Sequence, residues 1–335
     1  MSRPWACQER NVLPAKSADA WSLSDLDRAL IERLQHDGRA SVSQLARLVG
    51  VSEARVRPRL ARLLESDAVR VAALVDPAAL GRPVVAMLGI RCAADAEGEA
   101  SVHGVATRLA ALEEMNWIAE SASTSTVQAQ ISVAENGELL DLVNASVRTV
   151  PGVGEVRATT LLRGSALGPR VSDNPSRPAR PLEFLGHTRR GRPLDSADRV
   201  IVTALQNDGR MSFTRLAMLS GLSVAATRQR FLRLQRDGIV SVRALVEPEL
   251  LGRAACASVE VVIVSDSANT AATIAEIPDV TYSLEVAGGY DLLVELWCST
   301  DEVLEQRIGQ ILTVDGVVSC HVNRYSAIVK RQPQF

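Results

Sequence analysis

The sequence predicts an α+β fold in which one unit, a group of helices followed by alternating strands and helices, occurs twice in tandem. Residues 23–82 align with residues 194–253 at a constant shift of 171 without a gap, and nearly half of the positions are identical. Each copy begins with apolar residues at helical spacing and continues with short Val-rich runs that are typical of strands. The chain is therefore an internal duplication.

The composition is that of a globular protein. Of the 335 residues 47% are hydrophobic, which is enough for several buried cores, and the formal net charge is only -2. The apolar stretches are far shorter than the roughly 20 residues that span a bilayer, so we expect a cytoplasmic protein. The five cysteines are widely spread, which argues against disulfide frameworks and zinc sites. Because the chain is nearly neutral, any nucleic acid must bind a local basic surface.

The first two helices of each copy are marked by periodicity and by glycines. In the first copy Leu26, Leu30 and Leu34 recur at helical spacing, and Asp37-Gly38 ends the helix. A second helix follows and ends at Gly50, which can adopt the positive φ of a tight turn. The second copy repeats this pattern, so both copies open with the same helical arrangement.

The third helix of each copy buries one apolar stripe and turns basic residues to the opposite side. In the first copy the stripe is Val56, Leu60 and Leu63, and its counterparts in the second include Phe231 and Leu234. This arrangement is typical of a helix-turn-helix, whose last helix enters the major groove of DNA. The competing interpretation is a solvated helix face, although acidic residues are nearly absent here. The predicted DNA-binding residues are Arg55, Arg57, Arg62, Arg228, Gln229 and Arg233.

Other residues of the third helices are expected to differ in role or to weaken the first copy. Arg59 and Arg230 lie nearer the buried stripe, so we expect packing or ion pairs there. Pro58 lacks a backbone donor and clashes with the preceding turn, so we expect a kink or an early break. Ser66-Asp67-Ala68 lacks a glycine such as Gly238 to end the helix. The second helix-turn-helix is thus the more ordinary of the two.

Strand-like runs follow the helices in both copies. Val69 to Val75 and Val240 to Val246 can each form the wing of a winged helix-turn-helix or connect to the next domain. Then the order βαββαβ follows, which is that of a ferredoxin-like domain, and its last strand is predicted to run from Val317 to Val329. A similar order occurs between Val84 and Leu162.

These patterns set the domain boundaries. The segment between the copies repeats Pro, Arg, Gly and Ser with few apolar residues, so it cannot bury a core and is predicted to be a linker. The predicted divisions are a tail (1–22), a first helix-turn-helix (23–74), a first ferredoxin-like domain (75–163), a linker (164–193), a second helix-turn-helix (194–245) and a second ferredoxin-like domain (246–335).

A glycine turn joins the two central strands of the second ferredoxin-like domain. In Gly288-Gly289-Tyr290-Asp291 the glycines permit close approach of a ligand or positive φ, and the carboxylate can bind an amino group. On the residues alone, a plain Gly-Gly hairpin turn is an equally good interpretation. The first copy has Ala122-Ser123-Thr124-Ser125-Thr126 instead, so any pocket there is altered or lost.

Several motifs of the chain are specific when they occur together. They are Leu194-Asp195-x-x-Asp198, Asp208-Gly209-Arg210, Leu222-Ser223, Arg230-x-x-Arg233-Leu234, Asp237-Gly238-Ile239-Val240 and Gly289-Tyr290-Asp291. Through these motifs both halves of the chain resemble the Lrp/AsnC (feast/famine) family of transcriptional regulators. The resemblance implies DNA binding by the helix-turn-helix, an effector domain that dimerises through its sheet, and regulation by an amino acid or similar small molecule bound near the glycine turn. It also implies a homo-oligomer of pseudo-dimeric chains, because members usually carry one copy.

Two alternatives to a DNA-binding regulator are compatible with this fold. Some proteins of this fold are sirohaem decarboxylases, which resemble one another in histidine-rich residues near the second effector strand, where this chain has residues 115–118 (MNWI) and 280–283 (VTYS). The histidines His36, His103, His187 and His321 are scattered, and no cofactor or metal motif appears, so we expect no enzyme. The other alternative is a sensing or oligomerisation module that does not bind DNA.

Overall fold

Both copies have the predicted order of helices and strands in the computed structural model. The predicted tail, Ser66-Asp67-Ala68 and Ala122-Ser123 lie outside the residues that the structure describes. Within the described part of the chain, no helix is long and apolar enough to cross a membrane. The described residues are 23–65, 69–93, 98–121, 124–166, 182–185, 194–246, 248–264 and 266–331.

The first copy forms its helices where the sequence supplies caps. The side chains of Ser24 and Ser41 accept hydrogen bonds from the backbone three residues on, and Gly50 ends the second helix with φ 76°. The elements are α1 (Asp25–His36), α2 (Val42–Val49), α3 (Glu53–Glu65), β1 (Val69–Val75), β2 (Val84–Cys92), α4 (Val102–Ala110), β3 (Met115–Ser121), β4 (Thr126–Val133), α5 (Asn136–Leu142) and β5 (Val153–Ala166).

The second copy repeats these elements, with one correction. The predicted last strand is divided at Tyr325-Ser326, because the chain leaves its own sheet there and pairs with the first copy. The elements are β6 (Leu182–Leu185), α6 (Ser196–Asn207), α7 (Phe213–Ser220), α8 (Val224–Arg236), β7 (Val240–Val246), β8 (Ala255–Ile263), α9 (Ser267–Ala275), β9 (Val280–Ala287), β10 (Leu292–Cys298), α10 (Asp301–Leu312), β11 (Val317–Arg324) and β12 (Ala327–Arg331).

The strands that follow the two helix-turn-helix units pair with each other. β1 and β7 form an antiparallel ribbon from Val69↔Val246 to Val75↔Val240, with Ala72 opposite Arg243. Ala72 and Arg243 are equivalent residues of the repeat, so a local two-fold axis passes between them. The helices of both units share one hydrophobic core around this ribbon. The strands thus join the two helix-turn-helix units into one pseudo-dimer.

The two ferredoxin-like domains are joined in a similar way. Strand order is β11-β8-β10-β9-β5-β2-β4-β3-β12, so the end of β5 pairs with β9 of the second copy and β12 pairs with β3 of the first. Helices α4 and α5 cover one face of the first-copy strands of this sheet, and α9 and α10 cover one face of the second-copy strands. The uncovered faces meet in a cluster formed by Val85, Met87, Leu161, Leu284, Val286 and Leu293.

Part of the predicted linker is strand. Within residues 164–193, the described residues 164–166 continue β5, and β6 pairs with them through Gly164↔Leu185 and Ala166↔Leu182. The prediction of a linker is therefore wrong for these residues. β6 is Leu182-Glu183-Phe184-Leu185, a short apolar run that the Pro, Arg, Gly and Ser composition of the whole segment conceals, and the backbone edge of β5 pairs with it.

Candidate functional site

The third helices α3 and α8 have the geometry that DNA recognition needs. Each spans 13 residues, so Pro58 does not end α3 early and the expectation of a break is wrong. Val56, Leu60 and Leu63 are buried on the inner face of α3, and Phe231 and Leu234 are buried on that of α8. The opposite face of each helix is open to solvent.

Five of the six residues predicted to bind DNA are exposed, and the sixth is held by an acid. The guanidinium of Arg233 is half-buried, and its Nη2 lies 3.1 Å from Oδ2 of the buried Asp198. Arg57 is exposed, with Nη2 3.8 Å from a carboxylate oxygen of Glu53. The exposed residues are Arg55, Arg57, Arg62, Arg228 and Gln229.

The arginines nearer the stripe form the ion pairs that the sequence predicts. Nη1 of Arg59 lies 3.1 Å from Oδ2 of Asp27, which is buried on α1. Nη1 of Arg230 lies 2.6 Å from Asp195 and 2.9 Å from Asp198. The hydrogen bonds to these two carboxylates raise the pKa of Arg230. In both copies the recognition helix is thus fastened to the first helix of its unit.

A reciprocal contact between the copies fixes the relative placement of the two helix-turn-helix units. Nη1 of Arg39 donates to the carbonyl of Gly209 at 2.6 Å, and Nη1 of Arg210 donates to the carbonyl of Gly38 at 2.6 Å. Their Nη2 atoms donate to Met211 and Ala40 of the opposite copy, at 2.9 and 3.1 Å. The Asp-Gly-Arg motif is repeated in the sequence, but spacing alone gives no role for it. Only the fold shows that it joins the copies.

The two arginines lie in unequal surroundings. The guanidinium of Arg39 lies 4.7 Å from the ring centre of Phe213 and 5.2 Å from that of Phe231. Burial lowers the pKa of Arg39, and the neighbouring charge of Arg210 lowers it further. At the positions equivalent to the two phenylalanines the first copy has Val42 and Leu60, so Arg210 has no such rings there.

The glycine turn of the second ferredoxin-like domain lies against the first copy. A Cβ on Gly288 would come within 2.7 Å of the Thr159 side chain, so close packing requires glycine there, and neither Gly288 nor Gly289 has positive φ. Tyr290 packs on the cluster where the uncovered faces of the two copies meet, and burial raises its pKa. Oδ2 of Asp291 accepts a 2.9 Å hydrogen bond from the backbone of Ile263. Among the described residues no donor reaches Oδ1, which leaves one carboxylate oxygen for a ligand.

The corresponding turn of the first copy has a different chemistry. The hydroxyls of Thr124 and Thr126 lie 2.6 Å apart and bond to each other, and Thr124 also donates to Ser121 at 2.9 Å. Ser125 has φ 51°, which a glycine would adopt with less strain. No carboxylate occupies this turn, so it lacks the group that would bind an amino ligand in the second copy.

A buried acid, Glu295, lies on β10 beside a contact between the two copies, and no sequence pattern marks it. Glu295 is 6% exposed, and burial raises its pKa to about 7, although a 2.6 Å hydrogen bond from Thr281 and the charge of Arg331 act in the opposite direction. Nearby, Ser258 donates to Gln128 of the first copy at 2.8 Å. Within the described ranges, no group of His, Cys, Asp and Glu could hold a metal ion.

Comparison with protein families assigns both helix-turn-helix domains and the second ferredoxin-like domain. The AsnC-type helix-turn-helix domain matches residues 23–64 and 194–245. The Lrp/AsnC ligand binding domain matches residues 256–335. The match to the ligand binding domain covers the ferredoxin-like domain that carries the glycine turn.

The relatives match less than half of the chain, whereas one solved structure matches nearly all of it. The chain is 33% identical to the HTH-type transcriptional regulator LrpA of Mycobacterium tuberculosis over 129 residues, 37% of this chain and 85% of LrpA. It is 28% identical to the HTH-type transcriptional regulator FL11 of Pyrococcus horikoshii over 131 residues, 38% of this chain and 87% of FL11. The siroheme decarboxylase NirDL has a TM-score of 0.64 at 15% identity, covering 92% of this chain and 94% of NirDL. At that identity the likeness shows the fold alone.

Proposed function

The chain belongs to the Lrp/AsnC family of helix-turn-helix transcriptional regulators, and on that premise we propose that one chain binds double-stranded DNA through both α3 and α8. The observation that carries the proposal is the reciprocal contact of Arg39 and Arg210, which presents two recognition helices from a single chain. The exposed arginines of both helices supply the positive charge that phosphates attract.

DNA binding is tested by fluorescence anisotropy of the full chain with duplexes from a random-sequence library at several salt concentrations. We expect the logarithm of the binding constant to fall linearly with the logarithm of the salt concentration. Arg57→Ala combined with Arg228→Ala should weaken binding at least about tenfold and reduce that slope. The control is Arg148→Ala, an exposed arginine in the first ferredoxin-like domain. Equal effects of the double and the control variant would show that α3 and α8 do not bind DNA.

We further propose that the second copy binds the effector at the turn formed by Gly288, Gly289, Tyr290 and Asp291. The open Oδ1 of Asp291 can accept a charge-assisted hydrogen bond from the ammonium group of an amino acid. The first copy offers hydroxyls and no carboxylate at the same turn. Effector binding is therefore asymmetric within the chain.

Asymmetry is tested by calorimetry, with the amino acid that raises the melting temperature most in a screen. Asp291→Asn keeps a carbonyl oxygen for the Ile263 backbone but removes the charge, so the affinity should drop at least about tenfold. Thr126→Ala is the matched change in the first copy and should leave the affinity unchanged. Two equal sites per chain, or equal sensitivity to both changes, would contradict the proposal.

Binding experiments of the same kind also test two other functions. A chain that binds an amino acid but shows no salt-dependent DNA binding would be a sensing module only. The fold likeness to NirDL suggests sirohaem as the probe for an enzyme, and decarboxylation of sirohaem would replace the regulator proposal. We propose that the chain is not an enzyme, because its relatives at higher identity are transcriptional regulators.

Family membership also supports further assembly of these pseudo-dimeric chains, which sedimentation equilibrium measures.

A further inference from the structure

We propose that this chain recognises a non-palindromic operator, with α3 and α8 selecting unlike half-sites and the chain lying on the DNA in one direction. The inference rests on the proposed function, since it requires both helices to face DNA. It goes further by assigning the specificity of each helix to named residues.

The frame that presents the two helices is symmetric. The backbone of Gly38 donates to Val242 at 2.9 Å, and the backbone of Gly209 donates to Val71 at 2.9 Å. The two arginine contacts across the axis are also equal, at 2.6 Å each. Because equivalent contacts hold both units, α3 and α8 occupy equivalent positions about the local axis. Any difference in what they recognise must therefore come from their side chains.

The two helices have one outward arginine in common. Arg57 and Arg228 are equivalent in the repeat, and both are exposed. Arginine binds guanine edges or phosphates, so this pair supplies the contact that the two half-sites share. The partners of the two differ, because only Arg57 has a carboxylate, that of Glu53, one helical turn before it.

The outermost positions of the two helices differ in their hydrogen-bonding chemistry. Gln229 is exposed on α8 and can donate to and accept from an adenine edge, whereas its equivalent Pro58 offers no side-chain donor or acceptor. Leu232 is 52% exposed and can contact a thymine methyl group, whereas its equivalent Ala61 is short. The outer face of α8 is therefore suited to A·T pairs that α3 does not distinguish.

The charges at the ends of the helices differ as well. The first residue of α3 is the exposed Glu53, which can accept from the amino group of cytosine, and its equivalent in α8 is Val224. The last residue of α3 is Glu65, which repels phosphate, whereas the equivalent Arg236 attracts it. We assign G·C preference to the half-site under α3 and different phosphate contacts at the ends of the two helices.

The closing experiment is selection of duplexes from a random library by the full chain. From the selected sequence, three duplexes are built: the native left-right site, left-left and right-right. We expect two unlike halves and at least about tenfold weaker binding to either symmetric duplex, as measured by anisotropy. Selection of a palindrome, or equal binding to all three duplexes, would overturn the inference while leaving DNA binding intact. Absence of salt-dependent binding to any duplex would overturn the proposed function and this inference together.

Paired variants assign each half-site to its helix. Gln229→Ala should relax the base preference in one half-site by about tenfold, and Glu53→Ala should relax it only in the other. Each variant is thus the control for the other, and both positions are exposed, so the fold is retained. Relaxation of the same half-site by both variants would show that the helices do not divide the operator as proposed.

Discussion

At the scale of single residues, the pseudo-dimer differs from a true dimer wherever the two copies carry different residues at equivalent positions near the axis. Arg243 lies on the local axis opposite Ala72, and burial lowers the pKa of Arg243 to about 10. Two identical chains would place arginine opposite arginine at this point. The duplication instead allows a half-buried cation to lie beside a small apolar residue.

Glu295 is another position at which the two copies carry different residues, and it gives a pH dependence. Gln130 is its equivalent in the first copy. Gln130 lies opposite Met87, Glu295 lies opposite Ser258, and Met87 and Ser258 are equivalent at the shift of 171. The pKa of Glu295 is raised from 4.5 to about 7, so the folded state keeps a proton that the unfolded state releases. This contribution to stability is fully present below pH 4.5 and is lost as the pH rises through about 7.

We therefore predict that Glu295→Gln, which introduces the residue found at the equivalent position of the first copy, flattens the pH dependence of stability. Between pH 5 and pH 8 the parent chain should lose up to about 3 kcal/mol more than the variant. Urea unfolding at a series of pH values measures the difference. Parallel stability curves for the two proteins would show that Glu295 titrates alike in the folded and unfolded states.

At the scale of elements, α3 shows how tertiary packing overrides a local signal. A proline in a helix interior costs about 3 kcal/mol relative to good helix formers. The helix nevertheless continues to Glu65, because Leu60 and Leu63 beyond the proline are buried in the shared core. Burial of these two side chains contributes roughly 1.5–3 kcal/mol each, which is enough to offset the cost.

We predict that Pro58→Gln, which copies the second copy, raises the free energy of unfolding by up to about 3 kcal/mol. The change restores a backbone donor that can bond to the carbonyl of Ala54. Thermal unfolding of the full chain measures it, and Ala61→Gln on the same exposed face is the control, with an expected change within about 0.5 kcal/mol. A lower melting temperature for Pro58→Gln would show that the proline fits the backbone of α3 without strain.

The elements also mark what local sequence patterns can establish. Periodicity and helix-ending glycines predicted α1 and α2, and Val-rich runs predicted the strands of the ribbon, because those signals lie within a few residues. The partners of β1 and β12 could not be predicted, because the alternation of side chains is the same whichever strand pairs with them. Helical geometry predicted packing or an ion pair for Arg230. It could not predict that the partner, Asp198, also pairs with Arg233, because Asp198 is distant in sequence.

At the scale of the whole molecule, the helix-turn-helix pair depends on contacts between residues about 170 positions apart in the chain. Arg39 and Arg210 together donate to carbonyl groups of Gly209, Met211, Gly38 and Ala40. The ferredoxin-like domains have separate cores and do not depend on these contacts. Loss of the arginines should therefore loosen one half of the molecule and leave the other half folded.

We predict that replacing both Arg39 and Arg210 by Met lowers the stability of the helix-turn-helix half by about 1.5–3 kcal/mol per arginine. DNA affinity should fall with it, because the two recognition helices lose their fixed placement. Hydrogen exchange resolves the two halves of the molecule, and Arg215→Met, which changes an exposed arginine on α7, is the control. Equal exchange in the parent chain and the double variant would show that the ribbon alone holds the pair.

The ribbon of β1 and β7 finally decides how the protein responds to dilution. When two strands belong to separate molecules, mass action separates them as the concentration falls below their dissociation constant. Here both strands belong to one chain, so the concentration of each around the other is set by chain geometry and cannot be diluted away. The two recognition helices should therefore stay paired even at abundances where a two-chain regulator would be mostly dissociated.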